Sequence, residues 1–157
     1  MPRRRLTVDE HVVRQCPNSK LIKQDGRVVG VFSEAFRNRP GERYLSGTWL
    51  EYFGGSRQDR LLGVVGALRA MPREVKKKDG LIVLNVGRLE ACGKARVATV
   101  KCWHEPKPEN RAYAAIRGLP ADNSDDNLLD LIAEGTEKDD IVIVQDLEPP
   151  TVPDARC

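Results

Sequence analysis

Long apolar runs are missing from this chain. The longest, such as residues 61–67, are far too short to span a bilayer, which takes about 20 apolar residues. The basic start, Met1 to Arg5, is followed by polar residues instead of the apolar core of a secretion signal. We therefore expect a cytoplasmic protein that has no membrane partner.

Cysteine is sparse. Its four copies, Cys16, Cys92, Cys102 and Cys157, form no C-x-x-C pair. A disulfide framework belongs to shorter, cysteine-denser secreted chains, and a zinc site needs closer ligand spacing. We expect reduced thiols, no metal site and no cofactor.

Complete functional motifs are also missing. The Gly54-Gly55 pair lacks the lysine and hydroxyl residue of a phosphate-binding loop, so we interpret it as a linker. Nothing matches an RRM, a KH loop, a zinc finger or a helix-turn-helix. These absences weigh against a stand-alone enzyme and against a sequence-specific nucleic-acid reader.

Charge is present and unevenly distributed. The net charge of +3 conceals values of +5 for residues 1–60, +6 for residues 61–111 and −8 for residues 112–157. A basic body with an acidic C-terminal third can bind an acidic partner, or its two parts can attract each other.

Length and composition predict one domain, because 157 residues can bury a core of their own. We expect residues 1–19 to form an irregular basic N-terminal arm, residues 20–148 to form a single α+β domain and residues 149–157 to form a loose, proline-rich tail.

Turn and cap residues divide the domain into elements. Asp25-Gly26 between two β-branched runs predicts a hairpin. Ser56, with Asp59 three residues later, predicts the start of a helix over residues 57–71, and Ser124 predicts the cap of a later one. Residues 81–86, 96–102 and 141–144 have strand patterns, and helices are expected over residues 46–53 and 110–117. Residues 87–93 fit a short helix or a bend.

This order places hairpins and helices in blocks instead of regular βαβ alternation. It predicts an α+β fold with a mixed or antiparallel sheet packed with three to five helices.

Chemically active residues gather at 102–106. Alternation along a strand places Cys102 and His104 on one face and Trp103 on the other. A thiol beside an imidazole can serve as a nucleophile and base or as half of a metal site, and His104 with a carboxylate can act as a general base. Cys102, His104, Glu105 and Asn110 are the catalytic candidates, with a purely structural role as the alternative.

A second group combines aromatic rings with arginines. Such side chains can stack on bases and neutralise phosphates, although Trp49 and Phe53 can equally pack into the core. The candidate binding residues are Arg37, Arg39, Arg43, Trp49, Tyr52, Arg57 and Arg60.

Together, these patterns predict a small accessory or regulatory binding protein. Its basic body would engage an acidic protein or nucleic-acid partner. The alternatives are a small hydrolase or transferase that uses His104, and a sequence-independent binder of single-stranded nucleic acid.

Overall fold

Nine strands and four α-helices make up the part of the chain that the computed structural model describes, residues 3–38, 41–119 and 126–147. The strands are β1 (Arg4–Arg5), β2 (His11–Cys16), β3 (Leu21–Gln24), β4 (Arg27–Val31), β5 (Tyr44–Trp49), β6 (Gly80–Asn85), β7 (Lys101–His104), β8 (Tyr113–Arg117) and β9 (Ile141–Ile143). The helices are α1 (Arg57–Ala70), α2 (Val86–Ala95), α3 (Asp126–Glu134) and α4 (Val144–Leu147).

Seven strands form one sheet in the order β1-β7-β8-β5-β2-β6-β9, and every neighbouring pair is antiparallel. Strands β3 and β4 form a separate hairpin. Helices and an antiparallel sheet in separate blocks make this an α+β fold, as the sequence predicts.

Apolar clusters lie on both sides of the sheet. Helices α2 and α3, with the β3–β4 hairpin, enclose the larger one, which includes Val12, Leu45, Cys102 and Ile116. Helices α1 and α4 cover a smaller one over β2, β6 and β9. This second cluster takes no residue from β1, β7 or β8, so those strands are left outside the helical cover on the α1 side.

Local turn chemistry explains the elements that the sequence locates well. Asp25 and Gly26 both have positive φ, 52° and 77°, which is the backbone conformation of a tight two-residue hairpin turn. The Ser56 hydroxyl accepts a hydrogen bond from the Asp59 backbone N–H, and the Asp59 carboxylate accepts one from Ser56, so α1 begins where predicted. Strands β6 and β9 also lie at the predicted positions.

The expected irregular arm over residues 1–19 is wrong. Strand β2 lies within it and pairs with both β5 and β6, and β1 pairs with β7. Val12 and Val13 are fully buried on opposite faces of the sheet. The prolines and polar residues around them conceal a short strand, because a central strand depends on partners that are distant in sequence.

The helices expected over residues 46–53 and 110–117 are also wrong. Residues 44–49 form β5, a turn of 3₁₀-helix follows at Leu50–Tyr52, and residues 113–117 form β8. The two strands pair with each other over five residues. Tertiary pairing thus overrides the four-residue spacing of Trp49 and Phe53, which resembles one face of a helix.

The strand expected over residues 96–102 begins later, at Lys101. Helix α2 extends through the ambiguous residues 87–93 to Ala95, and Val97 then adopts a positive φ of 56°. A residue in that conformation ends a helix and cannot continue into a strand. Alternating side chains at 97–100 therefore belong to a turn and its exit.

Two expectations lie outside the described residues: the Ser124 cap of α3 and the tail over residues 149–157. In the described part, no helix has both the length and the apolar character needed to cross a membrane.

Candidate functional site

Strand alternation gives β5, β7 and β8 two different faces. One face carries Leu45, Cys102, Ala114 and Ile116 into the larger apolar cluster. The other carries polar and aromatic side chains that take no part in the smaller apolar cluster under α1. We call it the open face, and its members are Arg3, Tyr44, Lys101, Trp103, Glu105, Lys107, Tyr113 and Arg117.

Three aromatic rings of the open face each lie against a cation. The Arg3 guanidinium is 4.7 Å from the Trp103 ring, and the Arg117 guanidinium is 4.8 Å from the Tyr44 ring. The Lys107 ammonium is 4.0 Å from the Tyr113 ring. Each distance is within the range in which a cation is attracted to a ring face.

Tyr44 and Tyr113 also touch each other. Their rings meet edge to face with centroids 6.5 Å apart, and the Tyr113 hydroxyl donates to the Tyr44 hydroxyl over 3.4 Å. Burial raises the pKa of Tyr113 well above its usual value. Tyr113 is only 5% exposed, whereas Tyr44 and Trp103 are half-buried, so the accessible rings are Tyr44 and Trp103.

Glu105 and Arg117 form a two-pronged ion pair on this face. The Arg117 Nε and one terminal nitrogen each donate to a different Glu105 oxygen at 2.8 Å. The hydrogen bond from Arg117 holds the pKa of Glu105 below its usual range. The pair fixes the Arg117 guanidinium where it lies over Tyr44.

A cavity of about 530 Å³ adjoins the open face, and the segment that follows α1 contributes Met71, Arg73 and Glu74 to its lining. Its lining shares Tyr44, Lys107 and Tyr113 with the open face and includes six basic and four acidic side chains. The basic members are Arg14, Lys20, Arg37, Arg73, Lys76 and Lys107. Positive charge therefore continues from the open face into a concave surface.

Cys102 and His104 lie on the opposite side of β7, as the strand pattern predicts. Cys102 is fully buried among apolar residues, and burial raises the pKa of its thiol to about 12. A thiol so rarely ionised is a poor nucleophile. The imidazole of His104 packs against the Trp49 ring at a tilt of 49°, with ring centroids 4.8 Å apart, and its Nε2 is 2.7 Å from the Arg111 carbonyl oxygen.

The other two catalytic candidates lie elsewhere. The Glu105 carboxylate belongs to the open face with Arg117. Asn110 is 3% exposed, where its Oδ1 accepts a hydrogen bond from the Ala112 N–H and its amide nitrogen donates to the Thr48 hydroxyl. The structure does not bring Cys102, His104, Glu105 and Asn110 together in one cleft.

Trp49 serves mainly as packing. It packs against the larger apolar cluster, its ring lies beside the His104 ring, and the Arg4 guanidinium is 4.6 Å from the Trp49 ring. Tyr52 is 43% exposed and touches both the Trp49 and His104 rings. The two aromatic binding candidates thus lie together, on the other side of the sheet from the open face.

The arginine candidates are divided between several places. Arg37 lines the cavity beside the open face and pairs with Glu34, and Arg43 is exposed next to Tyr44. Arg57 and Arg60 line a separate cavity with His11. Arg39 lies outside the described residues.

Sequence reasoning does not single out Trp103, Tyr44, Tyr113 or Arg117, which meet on the open face. A signal for them exists: Tyr44 and Ser46, like Tyr113 and Arg117, occupy alternate positions of strands. A helix over residues 110–117, which the local pattern favours, would also place Tyr113 and Arg117 on one face, but it would not pair them with Tyr44 and Trp103. The surface that these residues share is therefore not visible from the sequence.

Comparison of the chain with protein-family models, with curated proteins and with solved structures finds no match in any of the three. The functional inference therefore depends on the geometry of the chain itself.

Proposed function

We propose that this protein binds single-stranded nucleic acid through the open face, without reading its sequence. The observation that carries the proposal is the pairing of the two accessible rings, Trp103 and Tyr44, with Arg3 and Arg117 on one sheet surface. Aromatic rings supply stacking for bases, and neighbouring cations supply contacts for phosphates. Such a binder is one of the alternatives to an accessory protein that the sequence leaves open.

The two cations would act differently when a strand binds. In the free protein, Arg3 lies against the Trp103 ring and is otherwise exposed. A base that stacks on Trp103 displaces the guanidinium, which then pairs with the adjacent phosphate. Arg117 is held by Glu105, so it keeps its position and offers a fixed positive charge beside Tyr44.

An acidic protein is the competing partner. Carboxylates on a peptide can also pair with Lys101, Lys107 and the basic cavity. A carboxylate, however, has no flat ring that would stack on the accessible Trp103 side chain. The rings therefore favour a nucleic acid, in which a flat base accompanies each negative charge.

The test is binding of a labelled single-stranded oligonucleotide, followed by fluorescence anisotropy over a range of salt concentrations. We expect affinity to fall steeply with salt, and Trp103→Ala to weaken binding about tenfold, as the loss of one stacked base implies. Lys107→Gln should reduce the slope of log affinity against log salt by about 0.7.

Matched controls separate the open face from the rest of the surface. Tyr52→Ala removes an exposed ring on the other side of the sheet, and Lys94→Gln removes an exposed cation at the end of α2. Neither should change stacking-dependent binding. Absence of binding at low salt, equal loss in Tyr52→Ala, or equally tight binding of polyglutamate that ignores Trp103→Ala would each overturn the proposal.

A further inference from the structure

A second cavity lies at the end of the sheet where β2 begins, between α1 and α2. Its volume is about 310 Å³. We call it the arginine cavity, and its charged or titratable lining consists of His11, Glu51, Arg57, Arg60, Arg88 and Asp140. It shares no lining residue with the cavity beside the open face.

Glu51 fixes the orientation of His11. One Glu51 oxygen accepts a hydrogen bond from the His11 backbone N–H, and the other lies 3.0 Å from the His11 Nδ1. An ionised carboxylate only accepts, so Nδ1 carries the proton. Nε2 is left as the ring nitrogen for another partner, on a side chain that is 34% exposed.

The guanidinium groups of the three arginines make few hydrogen bonds or ion pairs within the protein. Arg57 donates to the Asp139 carbonyl oxygen, and Arg88 lies 3.7 Å from the Asp140 carboxylate. Arg60 approaches Glu51 only to 4.0 Å, and its buried Nε has no hydrogen-bond partner. A guanidinium has five N–H donors, so most of these donors are free to meet a ligand.

The surroundings confine one of these cations and disfavour the charge of the other two. The Arg88 guanidinium lies against Gly135, in space that any Cβ at that position would take. Arg57 and Arg60 lie in the first turns of α1, where the helix dipole disfavours positive charge. Three arginines against two carboxylates leave the lining net positive before His11 is counted.

We propose that the arginine cavity binds a phosphate monoester, with Arg57, Arg60 and Arg88 on its oxygens and His11 Nε2 as a further contact. A phosphate offers several acceptor oxygens and up to two negative charges, which suits a forked donor set better than a single carboxylate does. The volume is at the lower end of small-ligand sites, large enough for a phosphate with part of its ester group. This site does not depend on the open face.

Isothermal titration calorimetry with inorganic phosphate and with a nucleoside 5′-monophosphate tests the proposal, with acetate at equal ionic strength as the control anion. We expect both phosphates to bind and acetate not to bind. Arg60→Gln and His11→Asn should each weaken phosphate binding, about tenfold for the arginine. Arg69→Gln, which removes the same charge from the far end of α1, should leave affinity unchanged.

The source of the phosphate is identified by comparing the affinities of a 5′-phosphorylated oligonucleotide and of the same oligonucleotide without the phosphate. Both affinities are measured with the Trp103→Ala variant, so that the open face contributes little to binding. Equal affinity for the mononucleotide and the phosphorylated strand indicates that the ligand is a free nucleotide. Tighter binding of the strand indicates that the ligand is a strand end. Either result supports a phosphate site in the arginine cavity.

Absence of phosphate binding overturns the site, and so does equal binding of acetate. Binding that Arg60→Gln leaves unchanged, in protein whose circular dichroism spectrum shows it folded, also overturns it. Since Trp103→Ala is expected to leave phosphate affinity intact, the open-face proposal and this one can fail separately.

Discussion

Glu105 and Arg117 join the end of β7 to the end of β8 through two parallel hydrogen bonds of 2.8 Å. The Glu105 side chain is 21% exposed and that of Arg117 is 34% exposed, so water screens the pair only in part. Because the same guanidinium lies over the Tyr44 ring, the ion pair sets the position of an aromatic–cation contact on the open face.

We expect Glu105→Gln to destabilise the protein at neutral pH by about 1 kcal/mol, the upper range for a partly screened pair of good geometry. The pKa of Glu105 is lowered in the folded state, chiefly by the hydrogen bond from Arg117. The stabilisation that the ionised Glu105 carboxylate gives the folded state is therefore fully present above the unfolded-state pKa of this group. It is lost as pH falls through the lowered pKa of the folded state.

Urea unfolding of wild type and Glu105→Gln measures this difference as a function of pH. The difference in unfolding free energy should begin to shrink near the ordinary glutamate pKa of about 4.3, and it should vanish once pH has fallen through the lowered folded value. A gap that persists unchanged in acid would show that Glu105 contributes through packing and not through its charge.

Cys16 and Cys102 should resist alkylation in the folded protein, whereas the half-buried Cys92 should react. Both resistant thiols are fully buried, and burial raises their pKa to about 11 and about 12. For Cys102, the rise from 9.0 makes the thiolate about a thousandfold rarer. Iodoacetamide labelling followed by peptide mass mapping checks this, with urea-unfolded protein as the control. Rapid labelling of native Cys102 would contradict its placement in the core.

Two glycines of α1 should respond oppositely to alanine. A Cβ at Gly66 meets nothing within 4 Å, so Gly66→Ala gains helix propensity and should stabilise by about 0.5–1 kcal/mol. A Cβ at Gly63 would lie 2.5 Å from the Phe53 ring, so Gly63→Ala should destabilise despite the same gain in propensity. Thermal unfolding of both variants measures whether each substitution raises or lowers the stability of the protein. Stabilisation by Gly63→Ala would mean that the Phe53 ring does not pack against α1.

Asn110→Ala should lower stability by about 1–3 kcal/mol, because it leaves the buried Ala112 N–H without an acceptor. Thr48→Val removes only the weaker partner, a hydroxyl 3.4 Å from the Asn110 amide nitrogen, and should cost less. Urea unfolding of both variants compares the two costs. An unchanged unfolding midpoint for Asn110→Ala would remove the structural explanation of this residue and return it to the functional candidates.

Local signals located the elements whose geometry is decided within a few residues. The Asp25-Gly26 turn requires positive φ at both positions, and the Ser56–Asp59 capping box closes over four residues. Such features depend on neighbouring backbone groups alone, so the sequence is sufficient to reveal them.

The candidate site was predicted less well. Strand alternation correctly separated Trp103 from Cys102 and His104, because a period of two follows from backbone geometry. Locating the open face required knowing that β8 is a strand and that the apolar cluster under α1 takes no residue from β7 or β8. Neither fact is local.

The sequence by itself determined the α+β class, the hairpin, the long first helix and the two-sided character of the strand at Cys102–His104. Only the tertiary structure decided that residues 11–16 lie in the middle of the sheet, that Tyr44 and Trp103 share a surface, and that Arg57, Arg60 and Arg88 line one cavity with His11. The reason is physical: antiparallel pairing joins segments as distant as β2 and β6, and no short stretch of chain encodes its partner.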